Sequence, residues 1–191
     1  MNNTILVIMA GGKSSRMQQD KALLPFNGYN SLAEYQCQRF KPLFSKVYIS
    51  AKENKFDFPI KIIEDCYSSS SPLVGLVSIF ETLDKIDEVM VLSVDAPFVD
   101  KEVFNALLNR AKKESSVIVA ESPNGIEPLC AIYRRAVFPV AQEMLSKNRH
   151  RLQTVLDRVE TQKLFFSDEK LFMNLNYPSD YELAKTFSSN I

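Results

Sequence analysis

Ile5-Leu6-Val7-Ile8-Met9-Ala10-Gly11-Gly12-Lys13-Ser14-Ser15-Arg16-Met17-Gln18-Gln19-Asp20-Lys21 is an apolar run that ends on two glycines and a cluster of cations. Five consecutive apolar residues rich in β-branched side chains predict a strand covered on both faces, as in a parallel sheet. Paired glycines just past its end let the backbone turn sharply and approach a ligand, and the N–H groups freed there can hold anionic oxygens. Lys13, Arg16 and Lys21 concentrate positive charge in this loop, opposed there only by Asp20. The competing reading is a surface turn with solvated cations. Two common phosphate loops do not fit. Gly12-Lys13-Ser14 matches the end of a Walker loop, but the earlier glycine that loop requires falls at Val7, inside the strand. A dinucleotide fingerprint needs three spaced glycines, and after Gly11 and Gly12 none follows until Gly28.

Outward from this stretch, strands alternate with helical patterns. Lys46–Ser50, Ile60–Ile63 and Val89–Val94 read as further strands. Val117–Ala120 and Leu129–Tyr133 read as a pair about a turn at Pro123-Asn124-Gly125, and Lys163–Phe166 and Leu171–Met173 as short late strands. Ala22 to Gly28 reads as a short extended piece closed by an Asn-Gly turn. Ser31, with Glu34 three residues on, predicts a capped helix ending before Pro42. Apolar residues from Leu73 to Leu83 recur at helical spacing, and Asp100 predicts the cap of another helix. Helical pattern returns over Ala136–Leu145, Leu152–Leu156 and Ser179–Phe187. This alternation predicts right-handed crossovers and a mainly parallel sheet with helices on both faces, an α/β/α sandwich. At 191 residues the chain is read as one domain, 1–191. Ligands of such sheets bind beyond the carboxyl ends of the strands. Ala10–Gly12, Ser50, Asp65 and Asp95 all fall just past strand ends, so a common rim is expected.

Lys+Arg and Asp+Glu both total 23, so neither nucleic acid nor a membrane surface is expected as a general partner. Cys37, Cys66 and Cys130 are scattered and odd in number, which argues against a disulfide framework or a thiolate zinc site. Free thiols and the lack of a basic leader at Met1-Asn2-Asn3-Thr4 point to the cytoplasm. Asp95 ends a very apolar strand, where a carboxylate is costly unless paired or bound to a cation; Mg²⁺ typically takes one or two carboxylates plus substrate phosphates. A helix cap is the other use of such a residue, but Asp100 already supplies one. His150, between Arg149 and Arg151, has no Ser or Cys partner placed for nucleophilic chemistry. Asn174 and Asn176 share one side of an extended segment and either line a pocket or hold the turn before Pro178.

Together these residues resemble the molybdenum cofactor guanylyltransferases, the MobA-like members of the GT-A type nucleotidyltransferases. The family opening, Ala-Gly-Gly-x-Ser-x-Arg-Met-Gly-x-Asp-Lys, stands here as Ala10 to Lys21, with Gln18 in the place of the last glycine. Pro72-Leu73-Val74-Gly75, Asp95-Ala96-Pro97-Phe98, Glu127-Pro128-Leu129-Cys130-Ala131 and Asn174-Leu175-Asn176-Tyr177-Pro178 follow in the family's order. The resemblance covers Ile5 to Leu183 and implies a Rossmann-like, GT-A type sheet. It also implies transfer of GMP from GTP to the terminal phosphate of molybdopterin, releasing pyrophosphate. Carried over by position, Met9, Ala10, Gly11 and Gly12 would meet the nucleotide, Lys21 its phosphates, Ser50 and Asp65 its base or ribose, and Asp95 would hold Mg²⁺. Arg16 is inferred from its charge to face the leaving pyrophosphate. Glu127, Pro128, Arg149, Arg151, Asn174 and Asn176 would surround the pterin. Other proteins of molybdenum cofactor synthesis or molybdoenzyme maturation are the implied partners. A cytidylyltransferase of the same acceptor, a sugar- or alcohol-phosphate nucleotidyltransferase, and a nucleotide-binding regulator or cofactor-delivery protein remain as alternatives.

Overall fold

In the computed structural model, residues 4–11, 17 and 19–188 are described. The opening apolar run forms β1 (Ile5–Met9), buried along its whole length. It lies between β2 (Val47–Ala51) and β4 (Glu88–Ser93), parallel to both, and β3 (Lys61–Glu64) continues the sheet beyond β2. On the other side, β6 (Gly125–Arg134) runs antiparallel to β4 and to β5 (Val117–Ser122), and β7 (Thr161–Phe165) pairs parallel with β5. The order is β3-β2-β1-β4-β6-β5-β7. Every strand except β6 therefore points the same way, in agreement with the mainly parallel sheet expected.

Successive strand residues face opposite sides, so each buried strand feeds two cores. Leu6, Ile8, Met90 and Leu92 pack against α1 (Leu32–Phe40), α3 (Lys101–Arg110) and α6 (Pro178–Ser188) through Phe40, Phe104 and Ala184. Ile5, Val7, Val89 and Val91 pack against α2 (Pro72–Thr82), α4 (Phe138–Ser146) and α5 (Leu152–Leu156) through Leu76, Phe80, Met144 and Val155. Among the described residues no helix is long and apolar enough to cross a membrane.

Local chemistry starts the helices where the sequence predicts. The Ser31 hydroxyl accepts the Glu34 N–H at 3.1 Å, while the Glu34 carboxylate reaches back to the Asn30 N–H at 3.3 Å instead of closing a standard box. Asp100 caps α3 by accepting the Val103 N–H at 3.0 Å, and Ser71 caps α2 ahead of Pro72.

Two expectations are corrected. Leu171–Met173 is not a strand. Asp168 accepts the Lys170 N–H and turns Glu169–Phe172 into a 3-10 helix that buries Phe172. Nor does the piece from Ala22 begin extended, because Asp20 accepts the Ala22 N–H and winds Lys21–Leu23 into a 3-10 turn. The Asn-Gly turn that follows is present, with Asn27 and Gly28 at φ of 46° and 80° closing a bridge between Phe26 and Tyr29.

β6 is longer than the sequence suggests and is interrupted on its β5 side. Ala120 pairs with Glu127 but Val119 pairs with Ala131, so Pro128, Leu129 and Cys130 bulge from that ladder. Pro128 has no N–H to donate, and a bulge re-aims side chains at a sheet rim. The fully buried Tyr133 fastens this bulge by donating its hydroxyl to the Pro128 carbonyl at 2.7 Å. Tyr133→Phe leaves that carbonyl without its donor, and chemical denaturation should show a loss of about 1 kcal/mol.

Candidate active site

Parallel pairing brings the ends of β1, β2, β3 and β4 to one rim. The Ala10 N–H donates to the Ser50 carbonyl at 2.8 Å, the Asp65 N–H to Ala51 at 3.1 Å, and the Val94 N–H to Met9 at 3.0 Å. The rim expected for Ala10, Gly11, Ser50, Asp65 and Asp95 is therefore present. Gly12 and Arg16, together with Lys13 and Gln18, lie outside the described residues.

Three of these positions have distinct surroundings. Gly11 is exposed, and a Cβ on it would stand 3.8 Å from the Asp65 carboxylate. Asp65 is partly buried, and burial pushes its carboxyl above the ordinary value against the opposing field of Lys52. The Ser50 side chain is buried beneath α2. A Cβ at Gly75 would lie 3.1 Å from its Oγ and 2.3 Å from Met9 Cε, so the missing side chain at Gly75 is what lets α2 close over both residues.

Asp95, just past β4, is the most heavily engaged carboxylate of the rim. Ser93 Oγ donates to its Oδ1 at 2.5 Å, and Lys21 Nζ lies 2.8 Å from its Oδ2, with both side chains of this ion pair mostly buried. Lys21 also donates to Asn176 Oδ1 at 3.0 Å. The Leu175 N–H holds the Asp95 carbonyl at 2.9 Å, which places the segment Asn174–Asn176 beside Asp95. Three motifs far apart in the chain thus meet at one charged junction. Neither Ser93 nor Lys55 is apparent in the sequence as a site residue. Lys55 donates to the Ala10 carbonyl at 3.2 Å and pairs with Asp20, so it ties the end of β1 to the residue preceding Lys21. It sits in the loop after β2 with no motif around it.

A cavity of about 240 Å³ opens from this junction, lined by Ser93, Asp95, the bulge Glu127–Cys130, Asn174 and Asn176 among others. Glu127, Pro128, Asn174 and Asn176, grouped from the sequence, are thereby brought together against Asp95. Arg149 and Arg151 are not in its lining. Their segment is tied to α2, where His150 Nδ1 lies 3.1 Å from Ser71 Oγ and its Nε2 lies 2.8 Å from Asn148 Oδ1. A larger cavity of about 550 Å³ lies at the starts of β2 and β3, lined by Lys46, Val47 and Lys61 among others, and holds none of the predicted site residues.

Comparison with known proteins decides what this rim belongs to. Residues 6–163 match the model of the MobA-like NTP transferase domain. The chain is a member of that family. It is 35% identical over 188 residues to the molybdenum cofactor guanylyltransferase of Campylobacter jejuni (serotype O:6, strain 81116), covering 97% of both proteins. It is 34% identical over 190 residues to that of Helicobacter pylori strain G27, covering 96% of this chain and 92% of the relative. The molybdopterin-guanine dinucleotide biosynthesis protein A of Archaeoglobus fulgidus superposes with a TM-score of 0.83 at 18% identity, covering 98% of this chain and all of that one, which shows the shared fold. As a MobA-like protein the chain is a nucleotidyltransferase.

Glu127 has a measurable signature in this MobA-like site. Burial raises its carboxyl above the ordinary value of 4.5, and the Ser122 hydroxyl, donating at 2.8 Å, opposes the rise only in part. A carboxyl raised on folding is protonated more readily in the native state than in the unfolded chain. Stability therefore falls as pH rises from the unfolded value through the folded one. Glu127→Gln removes this burden. Thermal melts should show it more stable than the parent at pH 7, with the difference closing below about pH 4, where both forms of the parent are protonated.

Proposed function

We propose that this chain transfers GMP from GTP to the terminal phosphate of molybdopterin, giving molybdopterin guanine dinucleotide and pyrophosphate. The observation that carries the reading is the Lys21–Asp95 pair at 2.8 Å, standing where the strand-end rim meets the cavity of Glu127 and Asn174. Phosphate-binding and acceptor-binding elements share that junction, as a transfer between two phosphorylated substrates requires. The guanylyltransferase names of relatives that match almost the whole chain support the choice of substrates.

The residue types suit this chemistry. An oxygen of the acceptor's phosphate forms a bond to the α-phosphorus of GTP as the α–β bridging bond breaks, and the electron pair leaves with pyrophosphate. A phosphate monoester has a second pKa of about 6, so the nucleophile is already largely dianionic at neutral pH and needs no general base. This agrees with a rim that has no histidine among the residues around Asp95. The protein's tasks are alignment and charge neutralisation. Lys21, held between Asp95 and Asn176, is assigned to the phosphate oxygens. Arg16 is assigned to the departing pyrophosphate. Met9, Ala10, Gly11 and Gly12 are assigned to the nucleotide backbone contacts, and Asp65 to its ribose or base.

Among the described residues no group of three or more His, Cys, Asp or Glu forms a metal cage. A single carboxylate is nevertheless the usual protein contribution to Mg²⁺ that is held mainly by nucleotide phosphates, and Asp95 fits that use. When bound there, Mg²⁺ would neutralise charge on the transferring phosphates. Asp95 would hold it, and Ser93 would orient the carboxylate. The buried Cys37 and Cys130 and the exposed Cys66, all free thiols, suit a reducing compartment such as the cytoplasm, and other proteins of cofactor synthesis or molybdoenzyme maturation are the proposed recipients of the product.

Incubation with molybdopterin, Mg²⁺ and each nucleoside triphosphate in turn should release pyrophosphate and form dinucleotide with GTP. Equal or better turnover with CTP would overturn the guanine assignment. Asp95→Asn should keep the parent's circular dichroism spectrum and lower transfer at least ~10²-fold.

A further inference from the structure

The loop that carries Asp95 is held by side chains from the interior of α1. Gln36, fully buried in the middle of that helix, donates its Nε2 to the Val94 carbonyl at 3.3 Å and to the Ala96 carbonyl at 3.0 Å. One turn on, the Arg39 guanidinium donates to the carbonyls of Pro97 and Val99 and to the Tyr35 hydroxyl at 3.1 Å. Residues three apart share a helix face, so both side chains reach the same loop from one side. The carbonyls immediately before and after Asp95 are thus gripped by one amide group, and the Asp95 carbonyl itself is held by the Leu175 N–H.

This arrangement is costly for a core. Gln36 Oε1 and Arg39 Nε are buried without a hydrogen-bond partner among the described residues. The Arg39 guanidinium is packed against the rings of Tyr35 and Phe40, and burial pulls its pKa below the ordinary arginine value. Loops can satisfy their carbonyls with water at the surface, and helix interiors favour apolar contacts. Here a glutamine and an arginine are spent on one short loop, and α1 also grips the other half of the charged junction. The Leu32 N–H at its start donates to the Leu24 carbonyl at 2.7 Å, at the end of the 3-10 turn that begins with Lys21.

We infer that Gln36 and Arg39 are positioning residues for the transfer reaction, fixing the backbone of the Asp95 loop so that the Asp95 carboxylate and Lys21 keep the separation the phosphates require. The inference rests on the role proposed above for Asp95. It concerns alignment in the transition state, so its signature lies in kcat more than in nucleotide affinity.

Gln36→Met keeps size and apolar packing but removes the donor. Its kcat for pyrophosphate release is expected to fall about tenfold, with KM for the nucleotide within about twofold of the parent. Amide hydrogen exchange should speed up over residues 94–99 and stay unchanged in β1. Arg39→Lys, which keeps one charged donor, should fall between the parent and a folded Arg39→Met, and if Arg39→Met folds poorly the kcat of Gln36→Met decides. Unchanged kcat in Gln36→Met, or equal losses in Arg39→Lys and Arg39→Met, would overturn the inference. Asp95→Asn measured alongside separates the two levels. Full turnover in Asp95→Asn removes the role of Asp95 and the inference with it. Loss in Asp95→Asn together with full turnover in Gln36→Met removes the inference alone.

Discussion

The structure depends on the parallel pairing of β1 with β2 and β4. Because β1 is buried on both faces and paired on both edges, its register fixes where the ends of three strands fall relative to one another. A slip of one residue would turn Leu6 and Ile8 toward the wrong core and move Ala10 off Ser50. The site inherits its precision from this constraint. Gly11, Asp65 and Asp95 share one rim because the sheet's ends are aligned, before any side chain of the site interacts with another.

On that rim, electrostatics finishes what the sheet begins. Lys21 and Asp95 neutralise each other in a mostly buried setting, and Asn176 and Ser93 occupy further hydrogen-bonding positions around them. Neither charge is left alone in a place where isolation would be expensive. In the reaction proposed above, an incoming phosphate and its cation would exchange for partners of the same sign and kind, lysine passing to phosphate and carboxylate to metal, without either group facing an apolar wall.

Much of this was legible in the chain. β1, the caps at Ser31 and Asp100, the alternation of strands and helices, and the meeting of Ala10, Asp65 and Asp95 all follow from local pattern plus the rule that parallel strands end together. What was hidden depends on contacts across long sequence separations. Lys55 has no motif, and its part becomes clear only because its amine lands on the Ala10 carbonyl. Gln36 reads as an ordinary polar residue in an amphipathic helix until the Val94–Val99 loop is seen lying over it. Arg149 and Arg151 show the reverse case. The family resemblance groups them with Glu127, while the packing of α4 and α5 against α2 carries their segment to Ser71. The 3-10 turns at Lys21 and Glu169 were missed because a single aspartate redirects only three or four residues, too few for any periodicity to register.

The reversed strand β6 has a consequence for how such an enzyme can change its acceptor. β1 to β4 bring their last residues to the rim, and the loop after each of them must also launch the crossover to the next strand. β6 brings its first residues there, as half of a hairpin closed at Ser122 and Gly125. The wall formed by Glu127 and Pro128 is therefore separable from the crossovers that build the nucleotide edge. Lengthening, shortening or recolouring that one hairpin would remodel the berth proposed for the second substrate while β1, Asp65 and Asp95 stay in register. Strand direction thus sets apart the edge proposed to hold the nucleotide from the wall proposed to meet the acceptor.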